Sequence, residues 1–293
     1  MAHRISIGRR SFHVFNYTFL SVLAFTCLFP LIHVFALSFS SNAAATNGLV
    51  SLWPVDFNTR SYEFILREQK FVVALIVSLK RVALGLVVNM ILVVLLAYPL
   101  SKEARKFRSR TFYAWYFIIT ILFSGGLIPT YMVVKETNLL DSIWALVLPG
   151  AVPVFSVVLL LNFFRGLPKE LEEAAFMDGA GQWKVLLRIF VPLSMPAIAT
   201  ITLLTMVGHW NAWFDGLIYM NRPENYPLQS YLQTVLKIDL TKLSSSELSN
   251  IEEISDRTIK AAQVFLGALP ILIVYPFLQK YFMSGIVLGS VKE

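Results

Sequence analysis

The 293 residues are 56% hydrophobic and 15% charged, with a net charge of +7 and a mean hydropathy of +0.65. A soluble domain carries about a quarter charged residues and about 45–50% apolar ones, so an ordinary soluble globule is excluded and the excess apolar surface calls for lipid. Disorder, collagen-like repeats and a disulfide-stapled fold are excluded too, since the lone cysteine, Cys27, lies in an apolar run where a buried packing role is expected.

In chain order, a short segment 1–13 with Arg9 and Arg10 precedes the first long run free of Asp, Glu, Lys and Arg. Six such runs follow, at 14–39, 82–100, 111–134, 142–164, 191–214 and 261–279. A transmembrane helix needs roughly 20 apolar residues, and lipid leaves helices as the reading where strand alternation is absent. The expected fold class is therefore an all-α membrane protein of six transmembrane helices. The first run also has features of a secretory signal, with Ala43, Ala44 and Ala45 near a possible cleavage point, but its length favours a retained anchor.

An even number of spans places both termini on one side. Segments 1–13, 101–110, 164–191 and 280–293 carry 14 Lys and Arg against six Asp and Glu, whereas 40–81, 135–141 and 215–260 carry 11 against 12. The positive-inside rule therefore puts both termini in the cytoplasm. The largest contribution comes from Lys102, Arg105, Lys106, Arg108 and Arg110 in one short loop. Lys80 and Arg81 read as anchors snorkelling to the opposite interface. The long segments 40–81 and 215–260, with NRPENYP and LTKLSSSELSN, read as surface loop. Dispersed basic residues without a tract give no footprint for nucleic acid.

Segment 164–191 carries organised helical signals. Pro168 suits a first helical position, and Glu170, Glu172 and Glu173 sit where the macrodipole favours carboxylates, which predicts a helix over 168–177. Asp178, Gly179 and Gly181 supply the turn. A second helix starts near Gln182, with Trp183, Leu186, Leu187 and Phe190 on one face and Lys184 and Arg188 on another. Pro192 and Pro196 mark the entry to the next span. Two short helices joined by a glycine turn form either an amphipathic connector on the membrane or a docking knob, in which Ala174 and Ala175 allow close approach and Glu173 offers a charge.

The string EAAFMDGAGQWKVLLRIFVPLSMP resembles the EAA loop of permease subunits in binding-protein-dependent ABC importers, written E-A-A-x(3)-G-x(9)-I-x-L-P. Glu173, Ala174, Ala175, Gly179, Ile189 and Pro192 match, and Val191 replaces the leucine. HWNAWFD and YFMSGIVLGSVKE are similar to stretches of the maltose-type carbohydrate permeases, closest to the branch handling complex or acidic oligosaccharides such as alginate.

The resemblance implies a six-helix permease domain over 14–283, with a cytoplasmic segment 1–13 and a cytoplasmic tail 284–293, in a bacterial cytoplasmic (inner) membrane. It assigns Glu173, Ala174, Ala175, Asp178, Gly179, Ile189 and Pro192 to coupling with an ATPase, while Trp183 and Leu187 hold the bracket against the bundle. Gly285, Gly289 and Lys292 contact the ATPase from the tail, against a reading as a frayed terminus. Implied partners are a second permease subunit, two ABC ATPase subunits and an extracytoplasmic solute-binding protein. ATP and Mg are bound by the ATPases, and this chain needs no cofactor.

His209, Trp210, Asn211, Trp213 and Asp215 are candidates for the substrate path, with an aromatic interface belt as the alternative. Seven prolines, Pro30, Pro99, Pro129, Pro149, Pro153, Pro270 and Pro276, are expected to kink spans. No P-loop, G-x-S-x-G elbow, H-E-x-x-H pair or metal-spaced Cys/His set occurs. On the residues alone, an ion-coupled secondary carrier and a non-transporting scaffold remain open, although span segments almost free of ionisable groups disfavour the carrier.

Overall fold

The computed structural model describes residues 7–235 and 256–290, and every regular element among them is helical. In chain order these are α1 (Ile7–Ser38), α2 (Asn42–Thr46), α3 (Arg60–Arg67), α4 (Gln69–Ser101), α5 (Arg110–Leu122), α6 (Leu127–Glu136), α7 (Ile143–Val147) and α8 (Val154–Arg165). Then follow α9 (Lys169–Met177), α10 (Gln182–Leu193), α11 (Met195–Asn211), α12 (Phe214–Tyr219), α13 (Leu228–Val235) and α14 (Asp256–Ser290).

Three uninterrupted stretches are long and apolar enough to cross a membrane: Gly8–Ser38, Gln69–Ser101 and Arg257–Phe277. The number becomes five if the bent pairs α5 with α6, at 115°, and α10 with α11, at 80°, each count as one span. The described helices thus differ from six unbroken spans. The run 111–134 breaks at a serine–glycine stretch where Gly126 takes φ +87°, and the run 191–214 breaks at Ser194, just before Pro196. The run 142–164 is split by Leu148–Pro153, leaving α8 with 12 residues, roughly 18 Å at 1.5 Å per residue. Pro149 and Pro153 fall in that interruption, whereas Pro30, Pro99, Pro270 and Pro276 lie inside helices that continue through them.

The chain divides into two compact units, Met1–Gln69 with Val235–Leu269, and Lys70–Thr234 with Pro270–Glu293. In the first, α1 leaves most of its apolar surface uncovered, and Cys27 is exposed on it rather than buried as expected, because the chain packs little against this helix. Its C-terminal end is held by Ala36 against Ala44 and Val50. Here the segment read as surface loop is organised. Ser41 caps α2 by accepting from Ala44 N at 3.2 Å, and α3 buries Ser61 and Ile65 one turn apart. The Ser61 hydroxyl donates to Thr258 Oγ1 at 3.0 Å inside this unit.

In the second unit, one face of α4 is buried at Phe71, Ala74, Ser78, Arg81, Gly85, Asn89, Val93 and Ala97, the three- and four-residue spacing of a single helical stripe. Its core joins Val93 and Ala97 to Val157, Leu160 and Phe164 of α8 and Ala197 and Ile201 of α11. The NRPENYP segment is pinned rather than loose. Asp141 accepts from Asn225 Nδ2 at 2.8 Å and from the backbone N–H groups of Asn221 and Arg222, and these contacts hold its carboxyl below the usual range. The serine-rich stretch 240–250 and the tail residue Lys292 lie outside the described residues. Gly285 and Gly289 fall in the C-terminal part of α14.

Candidate functional site

The segment between α8 and α11 forms two helices around a left-handed turn, close to the sequence expectation. Pro168 caps α9, and Glu170 and Glu172 occupy its first turn. Gly179, at φ +77°, closes it: its N–H donates to Phe176 O at 3.0 Å and that of Ala180 to Ala175 O at 2.9 Å, a Schellman ending. A Cβ at Gly179 meets nothing within 4 Å, so the backbone angle rather than space requires glycine.

The face of α9 toward the bundle carries Glu172 and Ala175, leaving Glu173, Ala174, Met177 and Asp178 exposed. From α10, Val185, Leu186 and Phe190 enter the same core, with Ile189 half-buried. Trp183 and Leu187 do not hold the bracket as expected: they are 66% and 60% exposed. A π-helical turn at Leu186–Phe190 spaces the inward residues Val185 and Phe190 five apart, so the buried stripe is displaced from one drawn at 3.6 residues per turn. Phe190 stands edge-on to Tyr98 and Phe164, with ring centroids 5.1 and 5.4 Å away. This aromatic triangle joins α10 to α4 and α8.

A second fastening was missed by sequence reasoning. Glu172 accepts from Lys102 Nζ at 2.9 Å and from Lys106 Nζ at 3.1 Å, and the Lys102 ammonium lies 4.0 and 4.2 Å from the ring centroids of Tyr98 and Phe190. Burial alone raises the Glu172 carboxyl, yet the hydrogen bonds and charges of the two lysines hold it below its usual range. Burial also lowers Lys102, outweighing the opposing pull of Glu172. Lys102 also feels the like charge of Lys106. Arg110 Nε and an Arg165 guanidinium N–H donate to Leu100 O at 3.0 and 3.2 Å, capping the end of α4. Lys102, Lys106 and Arg110, read as topology anchors, thus also fix the loop they flank.

Farther along α4, Arg81 is 3% exposed at its side chain and forms an ion pair with Asp215, whose side chain is 27% exposed. Arg81 also donates to Ala212 O at 3.2 Å, satisfying the carbonyl left open where α11 ends. Arg81 is therefore no interface anchor: it lies on the buried stripe of α4, which the sequence displays as Ser78, Arg81, Gly85 and Asn89 at helical spacing. Asn89 Nδ2 donates to Gly150 O at 3.4 Å, in the break between α7 and α8.

These groups border an open cavity of about 530 Å³, which Leu146, Phe155, Ser156, Thr205, His209 and Tyr219 also line. Of the five residues expected on a path, His209 and Asp215 reach it. Trp210 is buried beside Leu79, Pro270 and Val274, and Asn211 and Trp213 are exposed. His209 sits directly on α4: a Cβ at Gly85 would fall 2.3 Å from its Nε2. Gly85→Ala is therefore expected to push the imidazole toward the cavity and cost about 1–3 kcal/mol, seen as a lowered midpoint in thermal unfolding of the solubilised protein. An unchanged midpoint would show that the ring moves freely.

Among the described residues, no three His, Cys, Asp or Glu side chains gather in a metal-binding cluster. No family model matches the chain. It is 38% identical over 284 residues to the polygalacturonan/rhamnogalacturonan transport system permease protein YtcP of Bacillus subtilis (strain 168), covering 97% of this chain and 99% of that one. The protein LplC of the same organism is 38% identical over 291 residues, covering 99% and 97%. Among solved structures, that of a bacterial ABC transporter involved in the import of the acidic polysaccharide alginate superposes with a TM-score of 0.87 at 33% identity, over 94% of this chain and 98% of that one. These relatives span essentially the whole chain, and the chain belongs to the integral-membrane permease subunits of ABC sugar importers.

Proposed function

We propose that the chain forms one half of the translocation path of an ABC importer for an acidic oligosaccharide in a bacterial cytoplasmic membrane. In this reading it crosses the membrane six times with both termini inside. It pairs with a second permease subunit, receives substrate from an extracytoplasmic binding protein, and is driven by two ATPase subunits that bind ATP and Mg. The acidic character rests on the substrates named for the relatives, polygalacturonan and alginate.

The supporting observation is the shared core of the α9–α10 segment and the spans. Ala175, Val185, Leu186 and Phe190 pack with Tyr98, Phe164 and Ile201, while Glu173, Ala174 and Met177 stay exposed for a partner. Packed interiors resist deformation, so a push on the exposed face of α9 moves α4, α8 and α11. Ile189 and Pro192 lie at the joint where α10 passes its load to α11, and the tail residues Gly285, Gly289 and Lys292 supply a second ATPase contact.

Purification from native membranes in mild detergent is expected to bring down an ATPase subunit whose hydrolysis rises with saccharide-loaded binding protein. Glu173→Lys, reversing an exposed charge, and Gly179→Val, placing a β-branched residue at φ +77°, are each expected to leave membrane insertion intact. Both should reduce saccharide uptake at least tenfold and weaken ATPase co-purification. Full uptake by both variants would remove α9 from the coupling role. A second reading, an ion-coupled carrier, is favoured by the buried Arg81–Asp215 pair; it requires gradient-driven flux that survives loss of the ATPase.

A further inference from the structure

We propose that residues 48–54 form an interfacial lipid anchor in the leaflet opposite the N terminus, with Leu49 and Trp53 inserted at the headgroup–acyl boundary and His33 as the residue that fastens the segment. The proposal rests on α1 as a membrane span and is independent of the substrate and of ATPase coupling.

The path of the chain sets the depth. Within α1 the apolar run 14–38 is about 37 Å long at 1.5 Å per residue, against roughly 30 Å of hydrocarbon. Wherever the hydrocarbon falls along that run, His33 lies at its far border or up to about 7 Å inside it. The His33 Nδ1–H donates to Ser51 O at 2.8 Å, and since a carbonyl only accepts, this nitrogen carries the proton. Ser51 therefore stands level with the border. The chain leaves α1 at Ser38, turns through α2 and comes back beside the helix by about 7 Å.

The returning segment has the composition and surface for that depth. No Asp, Glu, Lys or Arg occurs between Arg10 and Asp56, so the charge-free stretch of the span continues through this loop after the helix has ended. Leu49 is 64% and Trp53 80% exposed, while Val50 between them is buried against Ala36 and Ala44. An indole has an apolar ring and one N–H, and both are accommodated at the headgroup level. The uncovered apolar surface of α1 runs into this patch without an intervening charge, which makes lipid the matching partner.

Irregular backbone is costly beside hydrocarbon unless its polar groups are paired, and here they are. The Leu49 N–H donates to Ala44 O at 3.0 Å, the Val55 N–H to the Ser40 hydroxyl at 3.1 Å, and Val55 O accepts from the Ser41 N–H at 3.0 Å. His33, a polar residue in an apolar run, does the same for Ser51 O at the deepest point of the loop. With Arg9 and Arg10 at the opposite interface, α1 is fixed in height at both ends, although the chain packs little against it.

The test uses the complete transporter in vesicles of phosphatidylethanolamine and phosphatidylglycerol, with a bimane label on Trp53→Cys or Leu49→Cys in a Cys27→Ser background. The same preparation without the added cysteine is the blank. Phosphatidylcholine carrying a nitroxide at acyl carbon 5 is expected to quench either label at least twice as strongly as one carrying it at carbon 12. Aqueous iodide should quench each label at least threefold less than it quenches free bimane–glutathione. Adding His33→Ala should at least double iodide quenching at position 53. Iodide quenching equal to that of free bimane would overturn the anchor, and stronger quenching from carbon 12 would overturn its interfacial depth. A label reached by neither nitroxide lipid nor iodide would overturn lipid as the occupant and give the patch to a partner protein. Unchanged iodide quenching in His33→Ala would overturn the fastening. Saccharide uptake by the same vesicles under ATP is a separate readout: its absence would remove the importer reading and leave the measured depth standing.

Discussion

Glu172→Gln is expected to destabilise the joint between α9 and the end of α4 by about 3 kcal/mol, the lower part of the range for breaking a buried ion pair. The Glu172 carboxylate is 10% exposed and lies between two ammonium groups, of which Lys102 is as buried and Lys106 is half-exposed. A glutamine keeps the shape but leaves the Lys102 charge held over Tyr98 and Phe190 with no counter-ion. Removing both charges in Glu172→Gln with Lys102→Met places an apolar chain between those rings, and the pair should cost clearly less than the sum of the singles. Thermal unfolding of the solubilised complex gives the stabilities, and ATP-driven uptake gives the coupling. Additive costs in the cycle would mean that the two side chains do not act as a unit.

The same contact sets a pH dependence. The Glu172 carboxyl is held below its usual value in the folded chain, so its contribution is fully present above the unfolded value, about 4.3, and is lost as pH falls through the folded value. Uptake and co-purification with the ATPase should therefore be steady from neutrality down to about pH 5. Below that the wild type should lose stability while Glu172→Gln, already without the charge, changes less.

How much of this was legible depends on range. The boundaries of α9 follow from Pro168, the early glutamates and Gly179, all signals acting within one turn of the residues they govern. Glu172 was indistinguishable from Glu170 and Glu173 as a first-turn carboxylate, because its lysine partners lie 66 and 70 residues earlier. Those lysines were explained by topology alone. Trp183 and Leu187 were placed against the bundle by the resemblance, whereas the π turn at Leu186–Phe190 spaces the inward residues Val185 and Phe190 five apart. In the spans, apolar runs announced helices but not their breaks: a hydropathy window passes over Gly126 and Ser194, whose backbone angles bend the paths. The cavity had a signal that went unused, since Ser78, Arg81, Gly85 and Asn89 recur at helical spacing inside an otherwise apolar helix. Polar residues stacked on one face of such a helix must meet protein or a polar passage rather than lipid.

That polar stripe carries the other large effect. Asp215→Asn removes the carboxylate that compensates Arg81 and leaves a guanidinium only 3% exposed without a counter-charge, a loss expected near 3 kcal/mol. The reverse change, Arg81→Met, should cost less, because Asp215 is 27% exposed and already accepts from the Gly216 N–H at 2.9 Å. The asymmetry follows from burial alone: the deeper charge needs its partner more. The double substitution Arg81→Met with Asp215→Asn removes both charges and should recover most of the stability lost by Asp215→Asn. It also returns the cavity wall to neutrality, so saccharide flux should recover with it, whereas Asp215→Asn alone leaves a positive wall that holds acidic saccharides and slows their release. Unfolding midpoints and initial uptake rates for the four proteins give both cycles. Equal costs for the two single changes would contradict the burial argument. Stability recovered without flux would mean that the charges themselves, rather than their mutual neutralisation, serve transport.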